Sequence, residues 1–145
     1  MKYCLISCGA KKQPTEAMAR NLYTGGLFQN SVAWADRNGY VFEQVAILSA
    51  KYGFVPSTKI IQPYDLALKD IFGRELSDWA NEVVNDMAQK WGLRMGDQIT
   101  ILAGRDYFVP LQAAMQEAGI APGVRLEDPL KGLTIGRRMA WLKAN

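Results

Sequence analysis

The stretch Ile47-Leu48-Ser49-Ala50-Lys51-Tyr52-Gly53-Phe54-Val55-Pro56 opens as the end of an apolar run that starts at Val45, then turns within one residue to serine, lysine, tyrosine and glycine. A buried strand that ends in small and cationic residues delivers polar groups to the edge of a sheet. The same pattern occurs twice more, in Leu5-Ile6-Ser7-Cys8-Gly9-Ala10-Lys11-Lys12 and in Ile99-Thr100-Ile101-Leu102-Ala103-Gly104-Arg105-Asp106-Tyr107. In an open parallel sheet, ligands bind outside the carboxyl ends of the strands. If the three runs are parallel neighbours, Lys11 or Lys12, Lys51 and Arg105 come to one rim. The expectation is therefore a single α/β domain over residues 1–145, with a small, largely parallel sheet flanked by helices and a ligand rim at the strand C-termini.

Composition narrows the chemistry. Apolar residues make up 49% and charged residues 21% of the 145, ordinary values for a packed domain, and the net charge of +3 permits a polyanionic partner without requiring one. The chain has no histidine. That removes Ser-His and Cys-His triads and most zinc sites, so chemistry must run on carboxylates, lysine, arginine, tyrosine, serine or cysteine. No metal or other cofactor is expected. Cys4 and Cys8 lie about 13 Å apart along one strand, too far to bridge, so both are expected as free thiols. Cys8 as a nucleophile would lack a histidine to activate it. No secretory signal or membrane-length apolar run is visible, and cytoplasmic residence is the default expectation.

Further elements follow from pattern. A strand is expected over Tyr3 to Ser7, and a lysine-rich loop from Cys8 to Gln13, either solvated or shaped as an anion-binding turn. A short helix or loop over Thr15 to Arg20 comes before Leu22-Tyr23-Thr24-Gly25-Gly26, and Leu27 to Arg37 is helical, stopping at Asn38-Gly39. A second strand covers Phe42 to Leu48. Leu66 to Phe72 is helical, and a long amphipathic helix covers Ser77 to Trp91, with Ser77 as N-cap and Gly92 as stop. Gln98 to Ala103 is the third strand. A helix from Val109 or Pro110 to Ala118, a short strand over Gly123 to Leu126 and a final helix over Ile135 to Lys143 complete the chain.

The candidate site residues sit in the exits and loops. Asp65, after Pro63-Tyr64, folds back toward the second strand's end and is the leading general base or substrate-orienting carboxylate; the competing role is a loop Asp capping the next helix. Lys51 serves electrostatically or, if buried enough to lower its pKa, as a Schiff-base amine. Ser7 and Ser49 stand at strand ends. Tyr23 either packs or lines the rim. Arg105 either pairs locally with Asp106 or grips phosphate with its planar fork. Gly136, with Arg137 and Arg138 beside it at a helix start, suits phosphate or forms a solvated basic end.

Five blocks, Ile6-Ser7-Cys8-Gly9-Ala10-Lys11-Lys12, Leu22-Tyr23-Thr24-Gly25-Gly26-Leu27-Phe28, Leu48-Ser49-Ala50-Lys51-Tyr52-Gly53, Pro63-Tyr64-Asp65-Leu66 and Gly132-Leu133-Thr134-Ile135-Gly136, resemble a family of small uncharacterised bacterial and phage domains. Similar small modules occur beside enzymes of base hypermodification. The segments Leu48 to Val55 and Ile61 to Leu66 are also similar to the central block of the YaaA peroxide-stress DNA-binding proteins, which have a glycosylase-like flavour. That likeness implies Ser49, Tyr52, Gly53, Pro63 and Tyr64 as rim residues. The leading expectation is an enzyme acting on a nucleobase in DNA or a nucleotide, by N-glycosidic cleavage, base modification or base exchange. In it cations hold phosphate, Tyr52 or Tyr64 stacks on the base, Ser49 bonds its edge and Asp65 activates water. The alternatives are a non-catalytic nucleic-acid-binding module and an enzyme of small nucleotides or sugar phosphates. Oligomeric state is not legible.

Overall fold

Alternation in the strands sets up two faces. Tyr3 and Leu5 point to one side of the first strand, Cys4 and Ile6 to the other, and all four are buried. The computed structural model describes residues 1–145. The elements are β1 (Lys2–Ser7), β2 (Ala17–Met18), α1 (Ala19–Leu22), α2 (Gly26–Arg37), β3 (Val45–Ser49), β4 (Gly53–Pro56), β5 (Ile60–Ile61), α3 (Gly73–Trp91), β6 (Gln98–Leu102), α4 (Arg105–Glu117), β7 (Arg125–Glu127) and α5 (Ile135–Ala144).

The main sheet has five strands in the order β4-β3-β1-β6-β7. β3, β1, β6 and β7 run parallel, and β4 closes one edge antiparallel to β3. On one face α3 and α4 pack through Trp79, Val83, Met87, Phe108 and Leu111 onto Leu5, Leu48 and Ile101. On the other, α2 and α5 pack through Phe28, Trp34 and Leu142 onto Cys4, Ile6 and Ile47. β3 is buried along its whole length because both faces are covered. Leu48 is fully buried, so Leu48→Ala is expected to cost about 2–5 kcal/mol.

The chain leaves β1 through α2 to reach β3 on one side. It then leaves the β3–β4 pair through α3, on the opposite face, to reach β6 on the other side of β1. The strand order therefore reverses between β1 and β6, which makes their C-terminal crevice the topological switch point.

Several boundaries differ from the sequence reading. Phe42–Gln44 is a single 3-10 turn, held by the Gln44 side chain accepting from Val41 N–H at 2.9 Å, and the strand proper starts at Val45. The tail of the opening stretch is no open loop: it is a β3–β4 hairpin, made possible by Gly53 at φ +71°. Between Leu66 and Phe72 only Leu68–Asp70 forms a turn, anchored by buried Leu68 and Ile71. α3 starts four residues before Ser77, so that serine caps nothing. α4 begins at Arg105, and Pro110 is accommodated inside the helix. The last strand is displaced to Arg125–Glu127. Ala17–Met18 pairs antiparallel with Ile60–Ile61 where a short helix or loop was expected, with helix α1 following at once.

Candidate functional site at the strand C-termini

β1 lies between β3 and β6, parallel to both, so the exits Cys8–Lys12, Ala50–Lys51 and Ala103–Arg105 leave the sheet on the same rim. Two strand spacings, about 10 Å, separate the outer two strands. Lys11, Lys51 and Arg105 are exposed and Lys12 is half-buried. The chain's three ion pairs are Met1–Asp97, Arg20–Asp36 and Arg125–Glu127. None involves a rim cation.

Beneath the cations lies a chain of hydroxyls. Tyr52 N–H donates to Ser49 Oγ at 3.0 Å, Ser49 donates to the Tyr64 hydroxyl at 2.8 Å, and Tyr64 shares a 2.7 Å hydrogen bond with the Tyr23 hydroxyl. The Trp79 indole N–H donates to the Ser49 carbonyl at 2.9 Å and pins the turn. On the adjoining strand the Cys8 thiol sits 3.4 Å from the Tyr107 hydroxyl. Burial pushes the pKa values of Tyr23, Tyr64 and Tyr107 up, and the neighbouring Cys8 thiol adds to this. These phenols stay protonated across the neutral range and can donate hydrogen bonds there. Lys12 Nζ stands 4.4 Å from the Tyr64 ring centroid, and Tyr52 meets Tyr64 edge-on at 5.4 Å.

The residues singled out from sequence take different positions. Ser49 is fully buried and its hydroxyl is used within the hydroxyl chain, so it orients Tyr64 and the turn instead of facing a substrate. Tyr23 is likewise buried. Tyr52 is exposed, with Lys51 Nζ 5.3 Å from its ring centroid. Asp65 is exposed beside Tyr64 and makes neither a hydrogen bond nor an ion pair. Ser7 is half-buried at the end of β1 and, with Arg138, lines a small cavity of about 60 Å³. Gly136 and Arg137 are exposed in the first turn of α5, where Thr134 caps the helix by accepting from Arg137 N–H at 3.3 Å.

Tyr107 and Asp128 carry no role in the sequence reading, whereas Arg138 enters it as a phosphate candidate at the start of α5. Tyr107 is the third residue of α4, visible as a phenol two residues after Arg105 only once the helix start is known. One oxygen of Asp128 is enclosed without a hydrogen-bond partner, and burial raises its pKa. A larger cavity, about 570 Å³, lies away from the rim between α2, α5 and the β6–β7 edge, walled by Trp34, Tyr40 and Trp141. Neither Lys51 nor Arg105 lines it. No group of three or more cysteine, aspartate or glutamate side chains is placed to hold a metal ion, and no helix is long and apolar enough to cross a membrane.

No curated protein matches the chain. A family of unknown function, DUF6884, matches residues 3–144, from the first strand through the last helix, and the chain belongs to it.

Proposed function

We propose that the protein is a base-processing enzyme of DNA or nucleotides, acting at the C-terminal rim of its sheet by N-glycosidic bond cleavage or base exchange. One observation carries the reading. Four cations from three neighbouring strand exits, Lys11, Lys12, Lys51 and Arg105, are free of ion pairs, and Lys12 stands over the rings of the hydrogen-bonded Tyr23 and Tyr64. Unpaired cations at the mouth of an α/β sheet suit phosphate, while the exposed ring of Tyr52 supplies a stacking surface for an extruded base. The likeness of Leu48 to Val55 and Ile61 to Leu66 to the YaaA block points the same way.

In the hydrolytic form of the reaction, water adds across the C1′–N bond. Its oxygen joins C1′ and keeps one proton, the other passes to Asp65 and on to solvent, and the departing base takes up a proton from solvent as the C1′–N bond breaks. Tyr64, held by Ser49 and Tyr23, donates a hydrogen bond toward the substrate, and the lysines screen phosphate charge.

Free-base release and abasic-site formation are measured on DNA and on mononucleotides carrying normal and modified bases. The wild type is expected to release base, and Asp65→Asn to lose at least a hundredfold in rate. Equal rates in both proteins would remove Asp65 from the mechanism. The exposed, unsupported position of Asp65 favours a second reading, a non-catalytic nucleic-acid-binding module. Salt-sensitive oligonucleotide binding with no product from any substrate would select it.

A further inference from the structure

The crevice between β1 and β6 is where an open α/β sheet of this strand order seats its ligand. At this place a small cavity of about 60 Å³ has Ser7 and Cys8 from β1's exit, Ala103 from β6's exit and Arg138 from α5 in its lining, with Leu27, Phe28 and Leu130 as an apolar wall. A buried water needs roughly 10–15 Å³ of such space, so the cavity takes a group of about four or five atoms. A phosphate has five.

Arg138 is the cation of this cavity. It is half-buried, its Nε donates to the Leu133 carbonyl at 3.0 Å, and it makes no ion pair. The carboxylates of Asp106 and Asp128 are near, yet neither closes on the guanidinium. One donor nitrogen thus fixes the side chain while the rest of the planar fork stays uncommitted.

Gly104 lies beside the guanidinium. Its φ of −75° and ψ of 169° suit any residue, so its backbone conformation does not require glycine. A Cβ there would stand 2.7 Å from Asp106 Oδ1 and 3.6 Å from Arg138 Nη1, so glycine leaves room for the Asp106 carboxylate near the guanidinium.

We propose that the β1–β6 crevice is an oxyanion seat, built by Arg138 with the exits of β1 and β6, that takes the phosphate of a nucleotide or of a nucleic-acid strand. The inference deepens the base-processing reading by naming the group that anchors the substrate and the residue that grips it. Lys11, Lys51 and Arg105 then act as the outer, steering charges, and Arg138 as the inner contact.

Thermal stabilisation and calorimetric binding are measured at constant ionic strength with inorganic phosphate, thymidine monophosphate, thymidine and a short single-stranded oligonucleotide. Phosphate and thymidine monophosphate are expected to bind the wild type, and thymidine not to. Arg138→Ala should weaken phosphate binding by roughly tenfold or more, and Arg138→Lys, which keeps the charge and loses the fork, by less. Asp128→Asn, which removes a nearby negative charge, should tighten it. Lys90→Ala, exposed in the last turn of α3, should leave it unchanged. If the oligonucleotide alone depends on Arg138, the seat belongs to strand phosphate; if the mononucleotide does too, it serves both. Equal binding of phosphate, thymidine monophosphate and oligonucleotide by wild type and Arg138→Ala would overturn the proposal. Arg138-dependent phosphate binding without any base release would sink the base-processing reading and leave the seat standing. Base release with a KM indifferent to Arg138 would do the reverse.

Discussion

The two ends of the sheet use their polar groups in opposite ways. At the N-terminal end they are paired with each other. The N-terminal ammonium meets Asp97 Oδ1 at 3.1 Å, and Asp97 Oδ2 accepts from Arg94 N–H at 2.8 Å. Tyr3 stacks on Trp91 at 4.4 Å and donates to its carbonyl, while the Trp91 indole donates to the Glu43 carbonyl. At the C-terminal end the cations form no ion pairs, and hydroxyls and a thiol gather nearby. One end is built for stability, and the other leaves its charge uncompensated. Such uncompensated charge is expected where binding or catalysis occurs.

The comparison makes a graded set of predictions, strongest where the two ends should differ most. Tyr3→Ala removes a buried ring and its stack, so urea denaturation should record a loss of about 3 kcal/mol with rim binding intact. Weakened phosphate binding by the folded variant would break the contrast. Tyr64→Phe acts at the other end and strands two buried hydroxyls, those of Ser49 and Tyr23. It should cost about 1–3 kcal/mol and also lower base release, because that network serves both packing and the site.

Asp97→Ala should cost about 1–2 kcal/mol at pH 7 with no effect on binding. The Arg94 N–H, with help from the ammonium, holds the Asp97 pKa below its ordinary value. A carboxylate depressed in the folded state contributes stability above its unfolded pKa of about 3.9 and loses it as pH falls through the lower folded value. The gap between wild type and variant should therefore close below about pH 4. Asp128 has the opposite sign: burial raises its pKa, so its ionised form strains the fold as pH rises through that raised value. Asp128→Asn should be neutral or slightly stabilising at pH 7. The smallest stability effects belong to Lys51→Ala and Arg105→Ala, within about 0.5 kcal/mol. Each should nevertheless reduce the slope of log affinity against log salt for an oligonucleotide by about one.

Much of this contrast was legible in sequence. The apolar runs at Tyr3 to Ile6, Val45 to Leu48 and Ile99 to Leu102 declare buried strands, and their small, cationic exits point to the rim. The hairpin after Ser49 was hidden because its residues are those of a loop; the pairing depends on a serine hydroxyl catching Tyr52 N–H and on Gly53 turning left-handed. The start of α4 was misplaced because proline is commonest in a first turn, whereas Pro110 sits further in. Lys12, Tyr23 and Tyr64 were visible as candidate site residues because they flank breaks in regular structure. Tyr107 was not, since it lies 99 positions from the Cys8 thiol it meets, and Arg138 was visible as a phosphate candidate but not as a neighbour of the β1 exit. Only the strand order brings these segments together.

The central claim is that guests enter at the strand C-termini. Backbone amide shifts recorded during titration with thymidine monophosphate test it most directly. The account predicts changes confined to Cys8–Lys12, Ser49–Gly53, Gly104–Tyr107 and the first turns of α5. Changes centred on Tyr3, Arg94 and Asp97, or spread evenly over the surface, would contradict it.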